Sequence, residues 1–247
     1  MSVAIERAQA RDPNLWRINL VGLWTIVRKE TRRVVRIWVQ TIVPPAITMT
    51  LYFIIFGSLV GRRIGSMDGV PYMTFIAPGL IMMAVITNSF ANVVSSFFSS
   101  KLMLHLEEML VAALVVVVAL FFTDLHIVHP LITFTTILLT AVVFSTAGLF
   151  NAIFAKTFDD ISIIPTFVLT PLTYLGGVFF SIELLPPFWQ HVAQLNPILY
   201  MVNAFRYGML GSADISIGLA YLIMLGAAAG LFGAVLFMLK RGIGVRA

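Results

Sequence analysis

The chain has 247 residues, 60% hydrophobic and only 11% charged, with a mean hydropathy of +0.98. So few charges cannot cover the surface of a water-soluble domain, and that class is excluded. The net charge of +5 does not point to nucleic acid, because eight of the sixteen Lys and Arg residues precede Trp38 in front of the first long apolar run, the pattern of a cytoplasmic flank on a membrane protein. With no Cys there is no disulfide framework and no thiolate metal site. Charges scattered through Met1 to Leu20 argue against a cleaved secretion signal, and Ser2 and a Cys-free tail argue against lipidation.

Between Asn14 and Ile37 the apolar residues Leu20, Leu23, Trp24, Val27, Val34 and Val35 recur at helical spacing, and Arg28, Arg32 and Arg36 form an i, i+4 row. Trp16, Trp24 and Trp38 favour headgroup depth, so a basic amphipathic helix lying at the interface is expected. A first span follows from about Trp38 to Val60, with an elbow expected at Pro44 and Pro45, which lack amide donors. A Gly-rich turn with Arg62, Arg63 and Asp68 leads into a second span, about Tyr72 to Phe98. Its polar residues Asn88, Asn92, Ser95 and Ser99 share one face. That face either packs against neighbouring helices, the commoner use, or lines a substrate path. Lys101, His105, Glu107 and Glu108 read as a short cytoplasmic helix.

The third apolar run, Met109 to Phe122, has 14 residues and reaches about 21 Å of a hydrocarbon layer near 30 Å. Charge placement favours its crossing. If it crosses, 13 Lys and Arg residues lie inside and 3 outside; if it does not, the division is 10 to 6. A fourth span, about Leu131 to Ala155, aligns Thr133, Thr136, Thr140, Ala147 and Asn151. Asp159 or Asp160 is placed to cap a fifth span, about Ile161 to Ile182, kinked by Pro165, Pro171, Gly176 and Gly177. The stretch Glu183 to Asp214 is expected to form a pair of short external helices that dip into the outer leaflet and return. The last span, about Ile217 to Leu239, carries Gly226 and Gly230 in a G-x-x-x-G arrangement, ordinarily a helix-packing device. The fold class is therefore an all-α membrane protein: a six-helix transmembrane bundle with an N-terminal interfacial helix, re-entrant helices between spans five and six, and an unusually short third span.

The chemistry inventory is sparse. Outside the third run the expected spans contain no Asp, Glu, Lys, Arg or His, which argues against an intramembrane enzyme and against proton or sodium pumping. His126 and His129, one helical turn apart, read as interfacial histidines rather than metal ligands. There is no phosphate-binding G-x-x-x-x-G-K-[ST] loop. Active transport would need energy from another polypeptide.

The run Leu175-Gly176-Gly177-Val178-Phe179, then Leu185-Pro186, Pro197-Ile198-Leu199-Tyr200 and Arg206 resembles the signature of type 2 ABC exporter permeases. Lys156 to Asp160 and Glu107 to Ala112 are similar to that family as well, and the resemblance covers nearly the whole chain. It implies an exporter subunit with no bound cofactor or metal, paired with a second copy of itself and with a separate ABC ATPase that carries ATP and magnesium. It further implies a bacterial inner-membrane location with both termini cytoplasmic, and a division into a cytoplasmic region 1–37, a permease domain 38–239 and a tail 240–247. The implied ATPase-coupling residues are Glu107, Glu108 and Lys101, with Asp159 and Asp160 a weaker second group. The signature residues are Gly176, Gly177, Pro186, Pro197, Tyr200 and Arg206. Asn88, Asn92, Ser95, Thr140 and Asn151 form the pathway or packing face. One departure stands out: Ala112-Ala113 runs into Leu114 to Val118 without the Pro-containing turn usual in the family. The chain looks short by roughly one helix, and nothing separates the coupling segment from span three. The rival readings are an energy-independent channel or scaffold, and an impaired, shortened permease.

Overall fold

The computed structural model describes residues 21, 24, 28, 38–99, 106–124, 127–155 and 157–243. Val21, Trp24 and Arg28 are helical and exposed; the rest of the expected interfacial helix, Lys101, His105, His126 and Lys156 lie outside the described residues, as do the side chains of Ser95, Glu107, Glu108 and Asp159. Helix α1 (Trp38–Tyr52) continues through a π-helical stretch (Phe53–Val60) into α2 (Gly61–Ile64). Two short strands, β1 (Ser66–Met67) and β2 (Val70–Pro71), pair antiparallel. Then come α3 (Tyr72–Ser99), α4 (Leu106–Leu120) and α5 (Pro130–Phe154). A second broken rod comprises α6 (Phe158–Ile164), a π-helical stretch (Pro165–Leu169) and α7 (Thr170–Leu175). After a 3-10 turn (Ile182–Leu184) follow α8 (Pro187–Gln194), α9 (Pro197–Leu210) and α10 (Ile217–Lys240).

Among the described residues, four helical segments are long and apolar enough to cross a membrane: Val43–Ile64, Tyr72–Val94, Pro130–Phe154 and Ile217–Lys240. Asp160–Leu175 is apolar but shorter, and α4 has 15 residues. Helices satisfy their backbone polar groups internally, which is what hydrocarbon requires. Large apolar side chains accordingly face outward on α1 and its π-helical continuation (Ile47, Leu51, Leu59) and on α10 (Leu222, Leu225, Phe232).

Contacts fix the direction of each rod. Gly148 of α5 meets the Phe90 carbonyl of α3, and Ala141, seven residues earlier, clusters with Val85, five residues earlier, so the two run parallel. Tyr221 near the start of α10 meets Thr136 near the start of α5 at 3.1 Å, and Val235 and Met238 near its end pack with Ile153; α10 is parallel to both. Thr123, just past α4, hydrogen bonds Thr74 at the start of α3 at 2.8 Å, and Phe122 stacks on Phe53 with centroids 5.2 Å apart. Helix α4 therefore runs against α3. Tyr52 and Tyr174 share a 3.1 Å hydroxyl contact, so α1 and the α6–α7 rod also run together, while Asn151 at the end of α5 donates to the Ile161 carbonyl at 3.2 Å. One end of the bundle gathers the hairpin, Thr74, Thr123, His129, the Gly177 turn and Asp214; the opposite end gathers the start of α4, the end of α5 and the end of α10.

Several expectations are corrected. Pro44 and Pro45 lie inside α1 without breaking it: their fixed φ is already helical, two amide donors are lost, and Pro44 faces outward. The helix widens later, where buried Gly57 lies against Met73. The fifth segment ends at Leu175 rather than Ile182, because Gly177 takes a φ of 72° and turns the chain. The cap of α6 is Thr157, with Asp160 as its reciprocal partner: Thr157 N donates to Asp160 Oδ2 at 2.9 Å and Asp160 N to Thr157 Oγ1 at 3.2 Å. Gly226, Gly230 and Gly233 have nothing within 4 Å of where a Cβ would stand, so among the described residues the G-x-x-x-G row packs against no helix of its own chain. Finally, Glu107 and Glu108 do not belong to a separate short helix; α4 runs unbroken from Leu106 through both and on to Leu120.

The α3–α5 seam depends on bare backbone contact at Gly148, where a Cβ would stand 2.6 Å from the Phe90 carbonyl oxygen. Gly148→Ala should lower stability by about 1–3 kcal/mol through overpacking. Gly218→Ala, with nothing within 4 Å, should stay within about 0.5 kcal/mol; thermal unfolding in detergent checks both.

Candidate functional site

The spaced residues of the expected signature come together at the hairpin end. After α7 the chain turns at Gly176 and Gly177. A Cβ on Gly176 would stand 2.7 Å from Ile198 Cγ2, and the loop crosses α3 so closely that a Cβ on Gly79 would stand 2.5 Å from the Val178 carbonyl oxygen. Asn196 caps α9, its Oδ1 accepting from Ile198 N at 3.0 Å, while its Nδ2 donates to the Leu172 carbonyl at the end of the α6–α7 rod. Pro197 occupies the first helical position, where no amide donor is needed. Tyr200 donates its hydroxyl to the Gln194 carbonyl at 2.7 Å and so holds α8 to α9. Pro186 caps α8 through its extended backbone.

Arg206 closes the arrangement. It is 1% exposed; its Nη2 donates to the Gly177 carbonyl at 2.6 Å, and its guanidinium carbon stands 3.9 Å from the centroid of the Phe75 ring on α3. Nε and Nη1 have no hydrogen-bond partner among the described residues. Arginine stays charged in proteins, so a full positive charge is held between α3, α9 and the Gly177 turn. Its counter-charges are two loop carboxylates, Asp68 and Asp214. Asp214 Oδ2 accepts from Ser181 Oγ and from Ile182 N, both at 3.2 Å, and Asp214 N donates to Asn203 Oδ1 on α9 at 3.0 Å. Asp68 sits at the hairpin tip with a φ of 50°, followed by Gly69 at 78°, the pairing of positive angles that tight hairpin turns need. Partial desolvation pushes the Asp68 carboxyl up from its ordinary range; the nearby charge of Asp214 pushes the same way, and Arg206 opposes both.

The arrangement is mechanical. Among the described residues no group of three or more His, Cys, Asp or Glu residues could hold a metal ion. What it does is tie the hairpin, the Gly177 turn, α9 and the Asp214 loop to one charge.

Elsewhere the expected residues are dispersed. Asn88 is half-buried and donates to its own helix at the Ala84 carbonyl, 2.8 Å away. Asn92 is half-buried on the same helix, and Thr140 is buried with no partner for its hydroxyl. Asn151 joins α5 to α6, and Asp160 serves in the cap of α6. Sequence reading missed Asp214, Asn203, Phe75 and Asn196; the Asn196-Pro197 pair carried a helix-start signal, and the others carried none that is local.

The family model for ABC-2 type transporters matches residues 21–112 and 106–210. Over 249 aligned positions, the chain is 50% identical to the inner membrane transport permease YadH of Escherichia coli (strain K12), covering 92% of this chain and 97% of that protein. It is 26% identical to nodulation protein J of Rhizobium meliloti (strain 1021) over 68% of this chain and 74% of that protein, and 26% identical to nodulation protein J of Rhizobium leguminosarum bv. viciae over 65% and 71%. The chain belongs to the ABC-2 type transporter family. It is a transport permease, an integral protein of the inner membrane. In the comparison with the Escherichia coli permease, 92% of 247 residues is about 227, so about 22 of the 249 aligned positions have no residue in this chain.

Arg206→Ala removes a charge-assisted hydrogen bond and a ring contact and leaves a cavity, and should cost about 3 kcal/mol; Arg206→Met, which keeps most of the volume without the charge, should cost less. A carboxyl whose pKa is raised by folding stabilises the fold below its ordinary pKa, and loses that contribution as pH rises through the raised value. Asp68→Asn should therefore be at least as stable as the native chain at neutral pH, with the difference shrinking on acidification, whereas Asp214→Asn should be less stable. Melting temperatures of the four variants across pH 4–8 check the set.

Proposed function

We propose that this chain is the membrane-spanning subunit of an ATP-binding cassette exporter, moving substrate outward with ATP hydrolysed, with magnesium, on a separate subunit. Two copies pair to enclose the path. The observation that carries the reading is the permease likeness along nearly the whole chain, in a molecule whose long apolar helices hold no ionisable residue away from their ends. With no ion relay at membrane depth, the work must be supplied from outside the bundle.

In this reading α4 and the α6–α7 rod complete the third and fifth crossings, so that six segments alternate in direction, as the contacts at Thr74, Thr123, Tyr174 and Tyr221 support. The hairpin end faces outward with Arg62, Arg63 and Arg206, and the other 13 Lys and Arg residues lie on the cytoplasmic side with both termini. Helices α8 and α9 form the external re-entrant pair, and the Arg206 clasp stiffens that outer end. Glu107, Glu108 and Lys101 meet a basic surface of the ATPase, with Asp159 and Asp160 beside them. The polar faces around Asn88 and Thr140 serve mainly as packing.

Purified in detergent with its ATP-binding partner chain, the protein should form a stable complex whose hydrolysis rate differs from that of the free ATPase. Absence of any complex overturns the reading. Replacing Glu107 and Glu108 with Lys should weaken association at least tenfold while membrane insertion is kept, and unchanged association would remove both from the coupling role.

A further inference from the structure

Three independent observations meet at one place in the chain. The first is geometric: α4 begins at Leu106, takes in Glu107 and Glu108, and runs without a turn to Leu120, 15 residues in all, while its far end is anchored at the hairpin end by Thr123 on Thr74 and Phe122 on Phe53. The second lies in how the family model fits: it matches in two stretches, 21–112 and 106–210, that overlap at 106–112 instead of continuing through. The third is the shortfall of about 22 aligned positions against the Escherichia coli permease.

We infer that this chain has lost about 22 residues at the 106–112 junction, and that the loss fuses the acidic cytoplasmic segment onto the outer part of the third membrane segment as one helix. Because α4 keeps both its direction and its anchor at the hairpin end, the missing residues come from between: the remainder of the cytoplasmic connection and the inner part of the third segment. Removing a whole crossing would have reversed every later element, yet α5 and α10 still run parallel to α3.

The consequence for the acidic pair follows from length. Glu107 stands sixteen positions before Thr123, about 24 Å along a helix, short of a hydrocarbon layer near 30 Å. The anchor therefore draws the pair toward the hydrocarbon edge, where ionised carboxylates are costly, and shortens its reach toward an ATPase. This consequence rests on the exporter reading for what Glu107 and Glu108 would touch; the fusion itself does not.

The test uses the full chain, which has no Cys, in inverted membrane vesicles. One form is as given; the other carries, after Ala112, the residues the Escherichia coli permease has at the unmatched positions. Glu108→Cys should react with a membrane-impermeant maleimide about tenfold more slowly in the chain as given than in the restored form, with Lys240→Cys reacting equally in both. Equal fast reaction at position 108 in the two forms overturns the inference. Should the restored form not insert, a nitroxide on Glu108→Cys in the given chain decides: collision with oxygen exceeding collision with a water-soluble nickel chelate supports the inference, and the reverse overturns it. Stimulation of the partner ATPase is read separately. A restored chain that labels as expected but never binds an ATPase leaves the fusion standing and defeats the exporter reading.

Discussion

A single guanidinium holds the hairpin end of this bundle together. Arg206 is the one charged side chain among the fully buried residues described, and such a charge is tolerated only where dipoles, rings and opposite charges surround it. Here they come from four separate elements: the Gly177 carbonyl from the turn after α7, the Phe75 ring from α3, and the carboxylates of Asp68 and Asp214 from two loops. The turn must be bare of side chains for α9 to come close enough, and it is: Gly176 lies against Ile198, and Gly79 against the Val178 backbone. A lipid environment supplies no hydrophobic push between helices, so contacts of this kind, with the close α3–α5 seam, determine which rods are neighbours.

Much of this architecture was legible along the chain, because the signal for a membrane helix is local. Apolar length alone located α3, α5 and α10 to within a residue or two, and a pair of short helices was expected between Glu183 and Asp214, where α8 and α9 lie. What failed was what depends on neighbours. Pro44 and Pro45 suggested an elbow, and the helix runs through both without a break. Asp160 looked like a cap, while Thr157 one turn earlier was better placed to receive its amide. The G-x-x-x-G row on α10 looked like a packing face and meets nothing among the described residues of its own chain. Asp214 and Phe75 gave no warning, since their roles exist only once Arg206 is placed between them.

The third segment shows how membrane folds absorb a loss. A soluble core missing a helical stretch of this size would leave a cavity and unfold; a rod in lipid answers to its anchors and its direction. With Phe122 on Phe53 and Thr123 on Thr74, α4 retains its place beside α1 and α3, and the elements after it retain their sense. The damage is concentrated at the free end of the rod, the end that carries Glu107 and Glu108. The two ends of one helix thereby differ: the turns near Thr123 pack in the bundle, and the first turn carries Glu107 and Glu108, the pair proposed to meet a partner.

The placement of every later element depends on α4 returning the chain to the hairpin end. Cysteines placed at Thr74 and Thr123 in the Cys-free background test this directly, through oxidant-driven cross-linking in intact membranes. An intramolecular disulfide forming within minutes is the expected result. Failure of the pair to cross-link, with Thr123→Cys reactive only from the cytoplasmic side, would contradict the arrangement of every element that follows.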